Sequence, residues 1–346
     1  MARQDDQRRD IVALPKAHLH LHFTGSMSLA TLHQLARARH MELPDKLAGG
    51  APLDLPYDQR GWNKFQRLYD VARAAVRGES ALRTVVDRAA AEDAAEGSRR
   101  LELQVDPTSY ASSVGGIEEA LDIICDEARA ASRRHGVQVG IIVAASRVRH
   151  PLDARTLARF AARRAGHGAG EVCAFGLNSN ERDGHTPEWE VAFRIARRAG
   201  LPGVPHGGEL LGPDHLEQVV RHLEPARIGH GVRAVEDPAL LDSMVARGIA
   251  FEVCPASNVQ LGVYREVDDV PLLTLLAHGA TVALGADDPL LFRSRLADQY
   301  RAAREVHFLD DVRLAGLARD SIDASFASDE DKRRWKRDVD DWLAST

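Results

Sequence analysis

Beyond residue 98 the chain alternates short apolar runs with longer stretches whose apolar residues recur every three or four positions. The short runs are RLELQVDP near 100–107, VQVGIIVAA near 137–145, EVCAFGLN near 171–178, LPGVPH near 201–206, RIGHG near 227–231, IAFEVCP near 249–255 and ATVALGADD near 280–288. With AHLHLH close to the N-terminus they make eight predicted strands. Between them, GIEEALDIICDEARAASRRHG has helical spacing, as does EDPALLDSMVARG. The latter offers Asp237 as N-cap, Pro238 at the first helical position and Gly248 just past the end. Strands alternating with helices predict a parallel sheet covered by helices, and eight repeats predict a closed (β/α)₈ TIM barrel. A doubly wound open sheet is the second choice.

Two stretches break the rhythm. Residues 41–80 follow the first strand with Pro and Gly punctuation and then a helical pattern, which is too long for an ordinary barrel loop. They predict a helical insertion on the mouth side, and 310–346 predict a C-terminal cap of charged amphipathic helix. The 346 residues fit one barrel domain, 1–346.

An apolar fraction of 44% with 28% charged residues supports a large core rather than disorder. A net charge of −6 leaves no positive excess to hold a phosphate backbone, which argues against nucleic acid as a partner. The mixed charges of MARQDDQRRDIV and the lack of a long apolar run predict neither a signal peptide nor a membrane span, hence a cytoplasmic protein. Cys125, Cys173 and Cys254 are odd in number and unpaired in spacing, so they read as small buried hydrophobes.

In a barrel of this kind the chemistry sits where strands end and the following loops begin. The strand-end residues are His20 and His22, Asn178, His206 and Glu209 in PHGGE, His230 in IGHG, Ser257 and Asn258 in CPASN, and Asp287 and Asp288 in GADDP. Each alone is weak: 15 histidines in this length give about 0.65 His-x-His pairs by chance. Imidazole or carboxylate at four separate strand ends, with little else ionisable, is stronger. Three neutral imidazoles and one carboxylate suit a catalytic zinc ion, with iron(II), cobalt(II) or manganese as alternatives.

LPKAHLHLHFTGS, VPHGGE, RIGHG, FEVCPASN and LGADDP, in this order and spacing, resemble the adenosine deaminase family of the amidohydrolase superfamily, over about residues 12–345. The resemblance implies one Zn²⁺ per chain on His20, His22, His206 and Asp287. It implies Glu209 as proton donor to a ring nitrogen and His230 beside the attacking water, with Asp287 helping to orient that water. Asp288 becomes a hydrogen-bond partner of the purine. His22, Thr24, Asn178 and Gly208 complete the implied substrate-binding set. A divalent ion makes water nucleophilic near neutral pH, which suits attack on an aromatic carbon bearing an amine. No lysine lies near strand 4, so a carbamylated bridge between two metals is not available. A bridging Glu181 is the remaining route to a second ion, and a single ion is preferred. A strand advances about 3.3 Å per residue, so His18 lies too deep to share an ion with both His20 and His22 and reads as a core histidine.

The substrate side departs from the family pattern. Thr24 replaces the Asp that contacts ribose, GLNSNERDGH replaces the Asp-Leu-Ala-Gly loop, and Gln104 stands where Arg is usual. Leu55, Tyr57, Trp62, Phe65 and Tyr69 of the insertion are candidates to line the pocket. The expected reaction is hydrolytic deamination of a 6-aminopurine nucleoside, adenosine or 2′-deoxyadenosine. Alternatives are adenine, aminodeoxyfutalosine or a modified adenosine, then a non-deaminase amidohydrolase or a silent binding member of the fold. Oligomeric state is not predicted.

Overall fold

A computed structural model describes residues 8–345. All eight expected strands form, in the order β1 (Lys16–His22), β2 (Ser98–Val105), β3 (Gln138–Ser146), β4 (Val172–Asn178), β5 (Gly203–Gly207), β6 (Arg227–His230), β7 (Ala250–Val253) and β8 (Val282–Leu284). Each pairs in parallel with its successor. The ring closes where the Asp287 N–H donates to the His20 carbonyl and the His22 N–H to the Asp287 carbonyl, each at 3.0 Å. This is the (β/α)₈ barrel, and the open doubly wound sheet is set aside. β8 is shorter than its apolar run: it ends at Leu284, and Asp287, at φ 60°, bridges to Leu21 of β1.

The strands read as barrel strands should. In β1, Ala17, Leu19 and Leu21 are fully buried in the hydrophobic core, while His18, His20 and His22 alternate with them. The helix Pro238–Ala246 starts as expected, with the Asp237 carboxylate accepting from the Ala239 and Leu240 amides, and Gly248 follows it at φ 70°. Cys125, Cys173 and Cys254 are buried and unpaired.

The material after β1 is more extensive than 41–80. Helices Leu29–Ala38, Asp45–Ala48, Gln59–Ala75 and Glu79–Ala95 all precede β2. The last of these packs on β2 and on the helix Ile117–His135, so it completes the first barrel unit. The C-terminal region also differs from a simple cap. Asp311–Ala324 packs against β8 and β1, and its Ser321 hydroxyl accepts from the Ala17 amide at 3.0 Å, which makes it the barrel's eighth helix. Only Asp329–Ala344 lies outside the ring, packed on its predecessor through buried Trp335, Val339 and Trp342. No described helix is long and apolar enough to cross a membrane.

Candidate active site

The C-terminal ends of the strands surround a cavity of about 720 Å³, counting its open mouth. His22, His206, Glu209, His230, Asp287 and Asp288 form one side. Gln104, Asp106, Ser146, Asn178 and Ser179 line it from β2 to β4, and Trp62, Phe65 and Tyr69 reach over it from the helix Gln59–Ala75. Of the insertion residues considered, Leu55 and Tyr57 do not line the cavity. Tyr57 instead donates its hydroxyl to the Leu210 carbonyl. Thr24 and Gly208 are likewise absent from the wall: the Thr24 hydroxyl pairs with the Tyr110 hydroxyl at 2.6 Å, fully buried, and Gly208 sits behind at φ 68°.

Strand ends bring His20, His22 and His206 together, each offering a ring nitrogen within 4.8 Å of the others. Asp287 joins them, its Oδ1 lying 3.1 Å from His22 Nε2 and 3.6 Å from His20 Nε2. Gly229 makes the crowding feasible. A Cβ there would meet His206 Cδ2 at 2.6 Å and His20 Cε1 at 2.9 Å. Ser179, His230 and Asp287 hold φ near 60–73°, a conformation that costs a non-glycine residue about 1–3 kcal/mol and concentrates at functional sites.

The surroundings orient each group. Glu252 Oε2 accepts from His20 Nδ1 at 2.7 Å, leaving Nε2 turned inward. The Ser257 hydroxyl donates to Asp287 Oδ2 at 2.5 Å. Asn258 Nδ2 donates to His230 Nδ1 at 3.3 Å, which places the remaining imidazole proton on Nε2, 3.6 Å from Glu209 Oε2. His18 is outside the cluster: its Nδ1 meets Asp93 at 2.9 Å and its Nε2 accepts from the Ala286 amide at 3.1 Å.

Charge is distributed unevenly over these buried groups. Burial, reinforced by Asp287 and Glu181, holds the Glu209 carboxyl well above the usual range, which favours its protonated form. Burial and Asp287 raise Asp288 in the same way. Asp287 goes the other way, because the neighbouring His20 and His22 imidazoles outweigh its burial and keep it ionised. Burial pushes His230 down to about 3, and burial with the neighbouring imidazoles pushes His206 down as well. Burial would also lower His20, yet Asp287 and Glu252 raise it to about 10. The carboxylates around His20 thus favour positive charge at this point of the site, while His206 and His230 are kept neutral.

The fit to a metal ion can be tested on the atoms. His20 Nε2 and His206 Nε2 are both buried with no hydrogen-bond partner. Buried imidazole nitrogens are ordinarily paired. Two such orphans converging beside His22 and an ionised Asp287 match a borderline-soft divalent ion with nitrogen and oxygen donors. Glu181 is in none of the ligand clusters among the described residues. Its carboxylate is taken up by backbone amides of residues 209–211.

Some functional features escape sequence reasoning. Glu252, Arg227, Glu102 and Arg100 form a buried chain of alternating charge leading to His20. Its signal is a charged residue inside an apolar strand, as in AFEV. Gln104 lines the cavity with both amide atoms buried and unpartnered.

Known proteins match the chain in family and in fold. The family model described as adenosine deaminase matches residues 15–342. A Streptomyces virginiae protein named "Putative adenosine/adenine deaminase" is 51% identical over 339 residues, covering 98% of this chain and 99% of that one. An adenine deaminase of Chelativorans sp. is 34% identical over 318 residues, covering 92% and 95%. The crystal structure of an adenine deaminase from Arthrobacter aurescens superposes with a TM-score of 0.86 at 27% identity, covering 96% of this chain and all of that one.

Proposed function

Because this chain belongs to the adenosine deaminase family, and is on that footing a metal-dependent hydrolytic deaminase, we propose that it releases ammonia from a 6-aminopurine, with one zinc ion per chain. The observation that carries the reading is the convergence of two orphaned imidazole nitrogens and Asp287 beside the buried Glu209, whose Oε1 also has no partner.

His20, His22, His206 and Asp287 would hold the ion. When bound it supplies Lewis acidity that makes water a nucleophile near neutral pH. The protein's own groups do the rest. Glu209 Oε1 is buried and unpartnered, so a proton on that carboxyl is free to pass to the purine nitrogen next to the reacting carbon. This removes the charge that addition would otherwise place on the ring. His230 Nε2–H, 3.6 Å from Glu209 and 4.0 Å from Asp287 Oδ2, lies between the acid and the ionised aspartate, where it orients the incoming water. Burial and Asp287 favour the protonated form of Asp288, which can donate from its carboxyl to a purine acceptor. Gly25 is required beside it, since a Cβ there would fall 1.7 Å from Asp288 Oδ1. Trp62, Phe65 and Tyr69 supply aromatic surface to the cavity wall.

Adenosine and 2′-deoxyadenosine are the substrates the family resemblance names first. A second reading, free adenine, is favoured by Thr24: at the place where the resemblance expects a ribose-contacting Asp, its hydroxyl is already spent on Tyr110. Ammonia release measured across adenosine, 2′-deoxyadenosine, adenine and an aminofutalosine decides between them. Glu209→Gln should keep its metal and lose about 10²–10⁴-fold in turnover. Near-normal turnover in that variant removes Glu209 from the proton-donor role.

A further inference from the structure

We propose that Glu181 is a positioning residue for Glu209, gripping the segment 209–211 by its amides so that the proton-donating carboxyl is held at the ring nitrogen. This rests on the reading of Glu209 as proton donor.

Glu181 lies three residues past β4 and is 1% exposed. Its Oε2 accepts from the Leu210 and Leu211 amides, each at 2.8 Å, and its Oε1 accepts from the Glu209 amide at 3.2 Å. Three successive backbone donors thus converge on one carboxylate. Its two oxygens have acceptor sites for all three, and no helix or strand at 209–211 satisfies those donors. The other side of the segment is tied as well. The Leu210 carbonyl accepts from Arg233 Nη1 at 3.0 Å, and the Arg233 amide donates to the Gly208 carbonyl at 2.9 Å. With its backbone fixed on both sides, Glu209 has only its side chain to move, and that carboxyl keeps one oxygen unpartnered in the cavity wall.

Burial holds the Glu181 carboxyl above its usual range, against the opposing pull of the nearby Arg147 guanidinium and of the three amide donors. Arg147 in turn donates to the His206 carbonyl at 3.1 Å, so the β5 end and the loop that follows it share one support. A glutamine at 181 would keep one acceptor oxygen but turn an amino group toward at least one backbone N–H.

The test is a double-mutant cycle of Glu181→Gln and Glu209→Gln, with amide hydrogen exchange followed by mass spectrometry in the zinc-loaded protein. Glu181→Gln should retain its zinc and leave KM within about threefold, while kcat falls about 10–100-fold, the size expected for a displaced reacting group. In the Glu209→Gln background the same change should cost less than about twofold, because the residue acts through Glu209. Exchange at 209–211 should rise about tenfold or more while β1 and β5 stay protected. Full multiplicative losses in the double variant, or unchanged exchange at 209–211, overturn the proposal. Glu181→Asp, which keeps the charge but is one methylene short of the three amides, gives the same readouts if the glutamine variant fails to fold. If the wild-type protein turns over no purine, the functional reading fails, and the exchange data still decide whether Glu181 grips the segment.

Discussion

Glu252→Gln is a sharp probe of the metal site because it changes one atom of a side chain whose two oxygens are both committed. Oε2 faces His20 Nδ1 at 2.7 Å and Oε1 faces Arg227 Nε at 2.6 Å, with all three side chains buried. Glutamine has one acceptor oxygen and one amino group, whereas a guanidinium can only donate. If the oxygen stays with Arg227, the amino group faces Nδ1, and the imidazole proton must move to Nε2, the nitrogen needed for the ion. If the oxygen turns to His20 instead, two donors meet at Arg227. Either arrangement forfeits one hydrogen bond to a charged group, worth about 1.5–3 kcal/mol. At 1.4 kcal/mol per decade this is about 10–100-fold in zinc affinity, the range usual for partners of ligating histidines. Arg227 keeps Glu102 at 2.6 Å and the Ala324 carbonyl at 2.9 Å, so the barrel should still fold. Zinc competition against a chromophoric chelator gives the affinity, and circular dichroism checks the fold. A folded variant whose zinc Kd lies within threefold of wild type refutes the assignment of Glu252 and of His20.

Two further outcomes concern stability. Lys16 is fully buried and donates to the Ile11, Leu14 and Glu96 carbonyls at 3.0, 2.7 and 2.5 Å, so Lys16→Met should lower the unfolding free energy by about 2–4 kcal/mol in urea titration, and a change under 0.5 kcal/mol contradicts this. Burial pushes the Asp320 carboxyl up to about 6 from 3.8, so the folded state holds a proton that the unfolded chain releases, and stability falls as pH rises through about 6. Asp320→Asn should therefore stabilise by about 1 kcal/mol at pH 8, after discounting for its partial exposure, and by nothing at pH 4. Equal effects at the two pH values would rule out ionisation as the cause.

How much is legible in sequence depends on the range of the interaction. Strand positions follow from local apolar runs, the rule that chemistry gathers at strand ends then brings the strand-end residues to one mouth, and the family resemblance picks His20, His22, His206 and Asp287 out of them. The rise per residue is enough to separate His18 from them, and the structure puts His18 between Asp93 and Ala286. Thr24 is different, because its partner Tyr110 is 86 residues away and nothing in HFTGS announces it. The role of Glu181 is hidden for a related reason: it depends on the irregular path of a loop 28–30 residues on. The helix Asp311–Ala324 has the same amphipathic pattern whether it caps the barrel or closes it. Only its packing on β8 and β1 distinguishes the two.

The two halves of the site are supported from different directions. Metal-side orientation comes from the barrel axis, where Arg100, Glu102, Arg227 and Glu252 alternate in charge at 2.6–3.0 Å down to the floor. There Glu102 accepts from the Phe326 amide at 2.7 Å, and the Arg227 guanidinium lies 4.0 Å from the centre of the Phe326 ring. Burying four charges is expensive, and apolar side chains of similar volume would stabilise the core as well or better. What the chain adds is direction: each member fixes the next, and the last fixes which His20 nitrogen faces the ion. Acid-side orientation comes instead from the loop after β4, through Glu181 and the amides of 209–211. Since no hydrogen bond joins Glu181 to Glu252, disturbing one support should affect zinc affinity and the other turnover, each with little effect on its counterpart.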